Sequence, residues 1–216
     1  MTRRGVTQSR EAPIVTTEQD LRASPAGDAT AADDAVVIGL SRAEPAQFSE
    51  LFRRHAPEIQ RYVVRRLGTS EADDIVAETF LAAFRQRDSY DLARPDARPW
   101  LYGIASNLIS RHHRTETRNY RLLARTGADP VLAPFTDQVD SAVSAGAARR
   151  RLAAALARLP ASQRDALLLV VWSELTYEQA ATALGLPTGT VRSRVSRARG
   201  RLRRALADID PSGRDD

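Results

Sequence analysis

The sequence predicts an all-α protein: two small helical domains joined by a flexible linker. Three observations carry the prediction. Apolar residues recur at three- and four-residue steps along most of the chain, and no segment sustains the two-residue alternation of a half-buried strand. Gly and Pro punctuate the periodic stretches at helix-length intervals. The length of 216 residues and the 43% hydrophobic content suit one large domain or two small ones with a core.

Residues 1–32 mix Pro, Gly, Ser, Thr and Ala without a helical period and read as a loose arm. The first domain, 33–125, opens with a short helix from Asp33 or Asp34 through Leu40. Past Pro45, the residues Phe48, Leu51, Phe52, Ile59, Tyr62, Val63 and Leu67 form one apolar stripe, which Gly68 ends. Ser70 to Asp73 has the spacing of a helix start, and the helix that follows buries Ile75, Val76, Thr79, Phe80, Ala83 and Phe84. A loop rich in Pro, Asp and Arg spans Asp88 to Arg98. Pro99 suits a first helical turn, and Trp100, Leu101, Ile104, Ala105 and Leu108 form the next stripe, with Trp100 read as core rather than as a stacking platform. Asn107, Arg111 and Arg114 align on another face of that helix.

From 126 to 145 the period dissolves into "TGADPVLAPFTDQVDSAVSA", a linker by composition. In the second domain, 146–208, Leu152, Leu156 and Leu159 mark a helix ended by Pro160. Ser162 begins another, whose run from Ala166 to Trp172 is apolar all round and therefore central. Thr176 and Gln179 have capping-box spacing, Gly185-Leu186-Pro187 makes a turn, and a last helix runs from about Thr188 to Ala207, before a tail at 209–216.

Composition narrows the chemistry. The chain has no cysteine, which removes disulfides, thiolate metal sites and cysteine nucleophiles and suits a reducing cytoplasm. The longest apolar run, Ala166 to Trp172, is too short for a bilayer, so no membrane association is expected. The three histidines, His55, His112 and His113, have no metal-ligand spacing, and there is neither a glycine-rich phosphate loop nor a nucleophile elbow. No catalytic residue, metal or cofactor is expected; the chain does not read as an enzyme.

Charge points to a polyanion. All 32 basic residues are arginine. Residues 146–207 carry twelve of them against Asp165, Glu174 and Glu178, a net +9 within a chain of +5, so the remainder carries −4. Between Arg192 and Arg204 stand seven arginines and no acid. A helix whose charges merely solvate it interleaves acids for i,i+4 pairs, and this one does not. Ala181 is small where a second helix must approach, Gly185 can take the positive φ of the turn, and Val191 points back to the core, which together read as a helix-turn-helix. Arginine near the start of such a helix can fork onto a guanine edge, and further along can meet phosphate.

Taken together, "EADDIVAETFLAAFR", "RPWLYGIASNLISRHHR" and "LPASQRDALLLVVWSELTYEQAATALGLPTGTVRSRVSRAR" resemble a bacterial RNA polymerase sigma factor of the sigma-70 family, in the extracytoplasmic-function (ECF) group that keeps only sigma domains 2 and 4. The resemblance runs from about Asp34 to Leu206 with the pieces in order. It implies binding to core RNA polymerase through Asp73, Asp74 and Glu78, with Ile75, Val76 and Phe80 packing inward or against the partner. It implies reading of the −10 promoter element as single strand by Asn107, with Arg111, His112 and Arg114 near its backbone and a flipped base held by the 88–98 loop. Arg192, Ser193, Ser196 and Arg197 match positions that read the −35 duplex, with Thr190 and Arg194 placed for phosphates. The implied partners are core polymerase, promoter DNA and, in many members, an anti-sigma factor. Thr188 departs from the acid that relatives often carry there, which leaves the promoter preference open. The chain also ends soon after its last helix, so no appended sensory domain is expected. Two other readings have different signatures: a free-standing helix-turn-helix regulator would bind duplex tightly alone, and an arginine-rich RNA adaptor would bind RNA without regard to sequence.

Overall fold

The computed structural model describes residues 33–126 and 139–207, with side chains at 33–126 and 146–207. Among these the protein is helical without strands. Five helices make the first set: α1 (Asp34–Ala43), α2 (Phe48–Leu67), α3 (Ala72–Gln86), α4 (Arg98–Arg111) and α5 (His113–Thr126). Four make the second: α6 (Val139–Ala157), α7 (Ala161–Val171), α8 (Tyr177–Leu184) and α9 (Thr188–Ala207). The expected arm lies outside the described residues, as do the tail after residue 208 and 127–138 of the expected linker.

Sequence rules account for most of the boundaries. Gly68 closes α2 at φ 88, in the region that favours glycine. Thr176 and Gln179 form the predicted capping box of α8: each backbone N–H is accepted by the other's side chain, at 2.9 and 3.1 Å. Gly185 takes the left-handed conformation at φ 62, and the Leu186 N–H returns to the Ala181 carbonyl at 3.0 Å, which sets the angle at which α9 leaves.

Three local expectations change. Ser70 does not cap α3; Glu71 stands at that position without a side-chain cap. The helix expected to run through Arg114 breaks at His112, whose N–H closes a tight turn on the Ile109 carbonyl at 2.8 Å. Arg114 therefore belongs to α5 and no longer shares a helix face with Asn107 and Arg111. Helix α6 begins at Val139, inside the segment assigned to the linker.

The core follows the periodic residues. Ile38, Leu51, Ile59, Val63, Leu101 and Ile109 are fully buried in the first set, as are Ala166, Leu169, Val191 and Ala198 in the second. Edge-to-face ring pairs, Phe48 with Phe84 and Phe52 with Phe80, join α2 to α3. Phe52 nonetheless stays 47% exposed, although its predicted stripe is otherwise buried. The two sets do not stand apart: their buried side chains form one continuous cluster. Gly103 of α4 lies so close to α8 that a β-carbon there would stand 2.5 Å from the Ala183 carbonyl oxygen.

Candidate functional site

Helix α9 sorts its residues by face. Val191, Val195 and Ala198 are buried, whereas Arg192, Ser193, Ser196 and Arg197 are exposed and Thr190 and Arg194 half-buried. The period of 3.6 thus places the four predicted duplex-reading side chains on open surface. The two arginines among them are already positioned. Arg192 donates to Glu178 at 3.1 Å and lies over the Tyr177 ring at 5.7 Å. Arg197 donates to the carbonyl and hydroxyl of Ser193, each at 3.2 Å. Both arginines stay solvent-facing, so exchanging these partners for a nucleic acid costs little.

Helix α3 presents Asp73, Asp74 and Glu78 to solvent, with Asp73 accepting from Gln60 at 2.7 Å. Ile75 and Phe80 are 2% and 5% exposed. The inward alternative therefore applies to both, since each is packed among its own chain's helices, and the open face of α3 carries the three carboxylates beside an exposed Leu81. Helix α4 runs alongside. Asn107 and Arg111 are exposed, His112 is half-buried and Arg114, on α5, is exposed. Arg111 lies 3.9 Å from Glu78, and His112 2.9 Å from Glu71, so the basic and acidic candidate patches abut.

The 88–98 loop is built around Tyr90. Its hydroxyl donates to the carbonyls of Arg94 and Asp96 at 2.7 and 3.2 Å, and its ring tilts against Trp100 at 4.8 Å. Trp100 is half-buried, so it packs as expected while one side borders open space. That space is a cavity of about 710 Å³ between the loop, α4 and α8, lined by Trp100, Ile104 and Asn107 on one wall and by Gln179, Thr182 and Ala183 on the other.

Asp34 fixes the loop's far end. Its carboxylate accepts from His55 at 2.9 Å and from the Ala97 backbone N–H at 3.0 Å, tying α1, α2 and the start of α4 together. Burial opposes the charge on Asp34, but these hydrogen bonds and the His55 and Arg54 charges hold its carboxyl below the usual range. Burial likewise opposes the His55 charge and is outweighed by hydrogen bonds to Asp34 and Glu58, so the imidazole is raised to about 9.

Sequence reasoning did not find the charged cluster where the two helix sets meet. Arg66 and Arg164 are fully buried, Glu116 is 1% exposed, and the Asp165 side chain is 16% exposed. Arg66 donates to Glu116 at 2.6 Å, to the Tyr62 hydroxyl at 2.7 Å and to Asp165. Arg164 donates to Glu116 at 2.7 Å and to the carbonyls of Leu156 and Leu159 at 3.1 Å. Burial works against the Glu116 charge, yet the two guanidiniums keep its carboxyl low; for Asp165 burial prevails and raises it. Around the cluster, Arg98 donates to the Ser173 carbonyl at 2.7 Å, Gln179 to Asp96 at 3.0 Å, and Arg65 lies 5.6 Å from the Trp172 ring. No periodicity marks these residues, because each half supplies one cation and one anion from an otherwise ordinary charged stretch.

Among the described residues there is no group of three or more His, Cys, Asp or Glu placed to hold a metal ion, and no helix is long and apolar enough to cross a membrane.

Comparison with known proteins places these surfaces in context. The chain matches the family Sigma-70 region 2 over residues 51–119 and the family Sigma-70, region 4 over residues 149–202. It is similar to the ECF RNA polymerase sigma factor SigC of Mycobacterium tuberculosis, 32% identical over 193 residues that cover 85% of this chain and 96% of that one. It is 33% identical to SigL of the same species over 175 residues, 80% of this chain and 96% of the relative. Among solved structures it is similar to CnrH in complex with the cytosolic domain of CnrY, at TM-score 0.57 and 25% identity, over 82% of this chain and 98% of that one. It is also similar to the sigma factor RpoE in complex with the anti-sigma factor NepR from Bartonella quintana, at TM-score 0.52 and 26% identity, over 76% and 98%.

Proposed function

Because the chain belongs to the extracytoplasmic-function group of the sigma-70 family and so directs promoter-specific transcription initiation with RNA polymerase, we propose that its exposed helix faces divide that work. The α9 face, Arg192, Ser193, Ser196 and Arg197, enters the major groove of the −35 duplex, with Thr190 and Arg194 at phosphates. The α4 face holds the −10 element as single strand: Asn107 contacts a base, and Arg111, His112 and Arg114 lie along the backbone. The cavity beside Trp100 takes an unstacked base. The carboxylates of α3, Asp73, Asp74 and Glu78, meet a basic surface of core polymerase, supported from below by Ile75 and Phe80. The protein works in the cytoplasm and catalyses no step; the polymerase does the chemistry. As with the RpoE relative and its partner NepR, an anti-sigma factor is the regulatory partner this reading expects.

One observation carries the assignment. On α9 the buried positions are all apolar or small, and every arginine between Arg192 and Arg204 lies on the outward or half-buried faces with no acid among them. A free-standing regulator would use the same face, but it gives no account of the match to Sigma-70 region 2 over residues 51–119. Co-elution with bacterial core polymerase decides between them. The native chain should move with the core and the Asp74→Arg/Glu78→Arg double variant should not. Tight duplex binding by the free protein without core association would overturn the sigma assignment of the surfaces.

A further inference from the structure

The two arginines proposed to read the −35 duplex differ in where their partners come from. Arg197 is held by Ser193, four residues back on the same helix, and turns with α9. Arg192 is held from another helix. Glu178, fourteen residues earlier, accepts from its Nη2 at 3.1 Å, and its guanidinium carbon lies over the Tyr177 ring, 5.7 Å from the centre. Both partners stand in the first turn of α8.

The fold fixes the two ends of this contact. The Thr176–Gln179 capping box starts α8 at Tyr177, and so places Tyr177 and Glu178 where they are. Val191, fully buried, pins the α9 backbone next to Arg192. The backbone N–H of Glu178 itself, and after it the Arg192 guanidinium, hold the Glu178 carboxyl below the ordinary carboxylate range. At neutral pH the group facing Arg192 is therefore a full negative charge.

Two chemical consequences follow. An arginine carries five N–H donors in a planar fork, and the Glu178 bond takes one Nη2 hydrogen. The end of the fork stays free for the O6 and N7 of a guanine, so Arg192 need not give up Glu178 to read a base. A long side chain that is already aimed also loses less freedom on binding. The carboxylate acts as well on what Arg192 must avoid. Phosphate is the commoner partner of protein donors along DNA, and a negative charge beside the guanidinium repels it while leaving an uncharged base edge unaffected. The side chains of Arg192 and Glu178 are 63% and 64% exposed, so the pair adds little to the stability of the fold.

We infer that Glu178 and Tyr177 are positioning residues for Arg192: they aim its guanidinium at a guanine edge of the −35 duplex and keep it off the phosphates, and so set how sharply one position is read. The inference rests on the assignment of the α9 face to that duplex and deepens it.

The test selects a duplex library, randomised over the −35 region, with holoenzyme assembled from the full chain and bacterial core polymerase. Native holoenzyme should favour guanine at one position, and Arg192→Ala should erase that preference. Glu178→Ala and Tyr177→Leu should each weaken it about twofold to fivefold and leave the other positions as they were. Tyr177→Phe, which keeps the ring, should match the native profile. Glu178→Ala should also bind altered −35 sequences about twofold or more tighter than the native protein at low salt, whereas a loss of structure weakens all binding. Glu178→Gln, which keeps an acceptor without the charge, should show the same tighter binding with most of the guanine preference intact. An unchanged Glu178→Ala profile at the Arg192 position overturns the inference, and so does an equal loss at every position. If Arg192→Ala removes no preference, the assignment of the α9 face has failed instead, and the positioning role falls with it. Should Tyr177→Leu fail to fold, the Glu178 variants, altered at an exposed side chain, still decide.

Discussion

Gln179 uses the two ends of its amide for two tasks: its oxygen accepts from the Thr176 N–H at 2.9 Å to cap α8, and its nitrogen donates to Asp96 at 3.0 Å, in the loop that precedes α4. One side chain thus starts a helix of the second set and fastens it to the first. Gln179→Glu should separate the tasks. A glutamate can still close the capping box, but its carboxylate would face that of Asp96. We expect α8 to remain helical while the packing between the two helix sets loses about 1 kcal/mol, read as a lower urea midpoint and a larger radius of gyration by solution scattering. An unchanged radius would mean that the Asp96 contact is incidental.

Gly103 is the second point of close approach, and the obstacle there is the backbone of α8 rather than a side chain that could turn away. Alanine is the better helix former by about 1 kcal/mol. Gly103→Ala should nevertheless destabilise the folded molecule by about 1–3 kcal/mol, because the carbonyl of Ala183 must retreat to admit the methyl group. Thermal unfolding of Gly103→Ala beside Gly200→Ala, where a β-carbon meets open space, separates the two effects: the first should lower Tm and the second raise it.

Stability should fall with alkali through His55. Its imidazole is raised to about 9 in the folded chain from the ordinary 6.5. The stabilisation is therefore complete below about pH 6.5 and is lost as pH rises through about 9. Asp34, held below its ordinary range, acts in the opposite sense, its contribution being present above about pH 4 and lost in acid. Denaturant midpoints of the native chain should decline between pH 6.5 and 9.5. His55→Gln should start lower and stay flat over that window, and a flat native profile would show that the Asp34 pair is not coupled to folding.

Arginines on α9 should divide by position. Arg192→Ala or Arg197→Ala should lower discrimination between cognate and altered −35 sequences by about 1–3 kcal/mol if each forks onto a base edge. Arg201→Ala and Arg204→Ala should weaken all sequences alike and reduce the salt dependence of binding by about one counterion each. Transcription by holoenzyme on promoter variants at two salt concentrations separates the classes.

Much of this was legible in the chain, and what was not has a common cause. Thr176, Gln179, Gly185 and the α9 stripe were readable because capping, positive φ and helical period are local rules. The exposed site residues followed, since a 3.6-residue period that buries Val191, Val195 and Ala198 must turn Arg192, Ser196 and Arg197 outward. Helix α5 was missed because "HRTETRNYRLLART" has almost no apolar stripe: it is anchored by Glu116 and Tyr120, and Glu116 is buried only because two arginines from distant helices reach it. The early start of α6 at Val139 was hidden because its first turns are built mostly of small and polar residues, with only Val139 and Val143 larger and apolar. Long-range charge pairing leaves no periodic trace.

The Asp34 carboxylate has a bearing on where this protein can be cut. The match to Sigma-70 region 2 begins at residue 51, and a fragment cloned from that boundary would omit the group that satisfies both His55 and the Ala97 backbone N–H. Such a piece would keep every promoter-facing residue on α4 and still present them badly, because the turn that launches α4 would have lost its anchor. The stretch that the Sigma-70 region 2 match covers and the stretch that packs as one unit are thus different, and the second begins no later than Asp34.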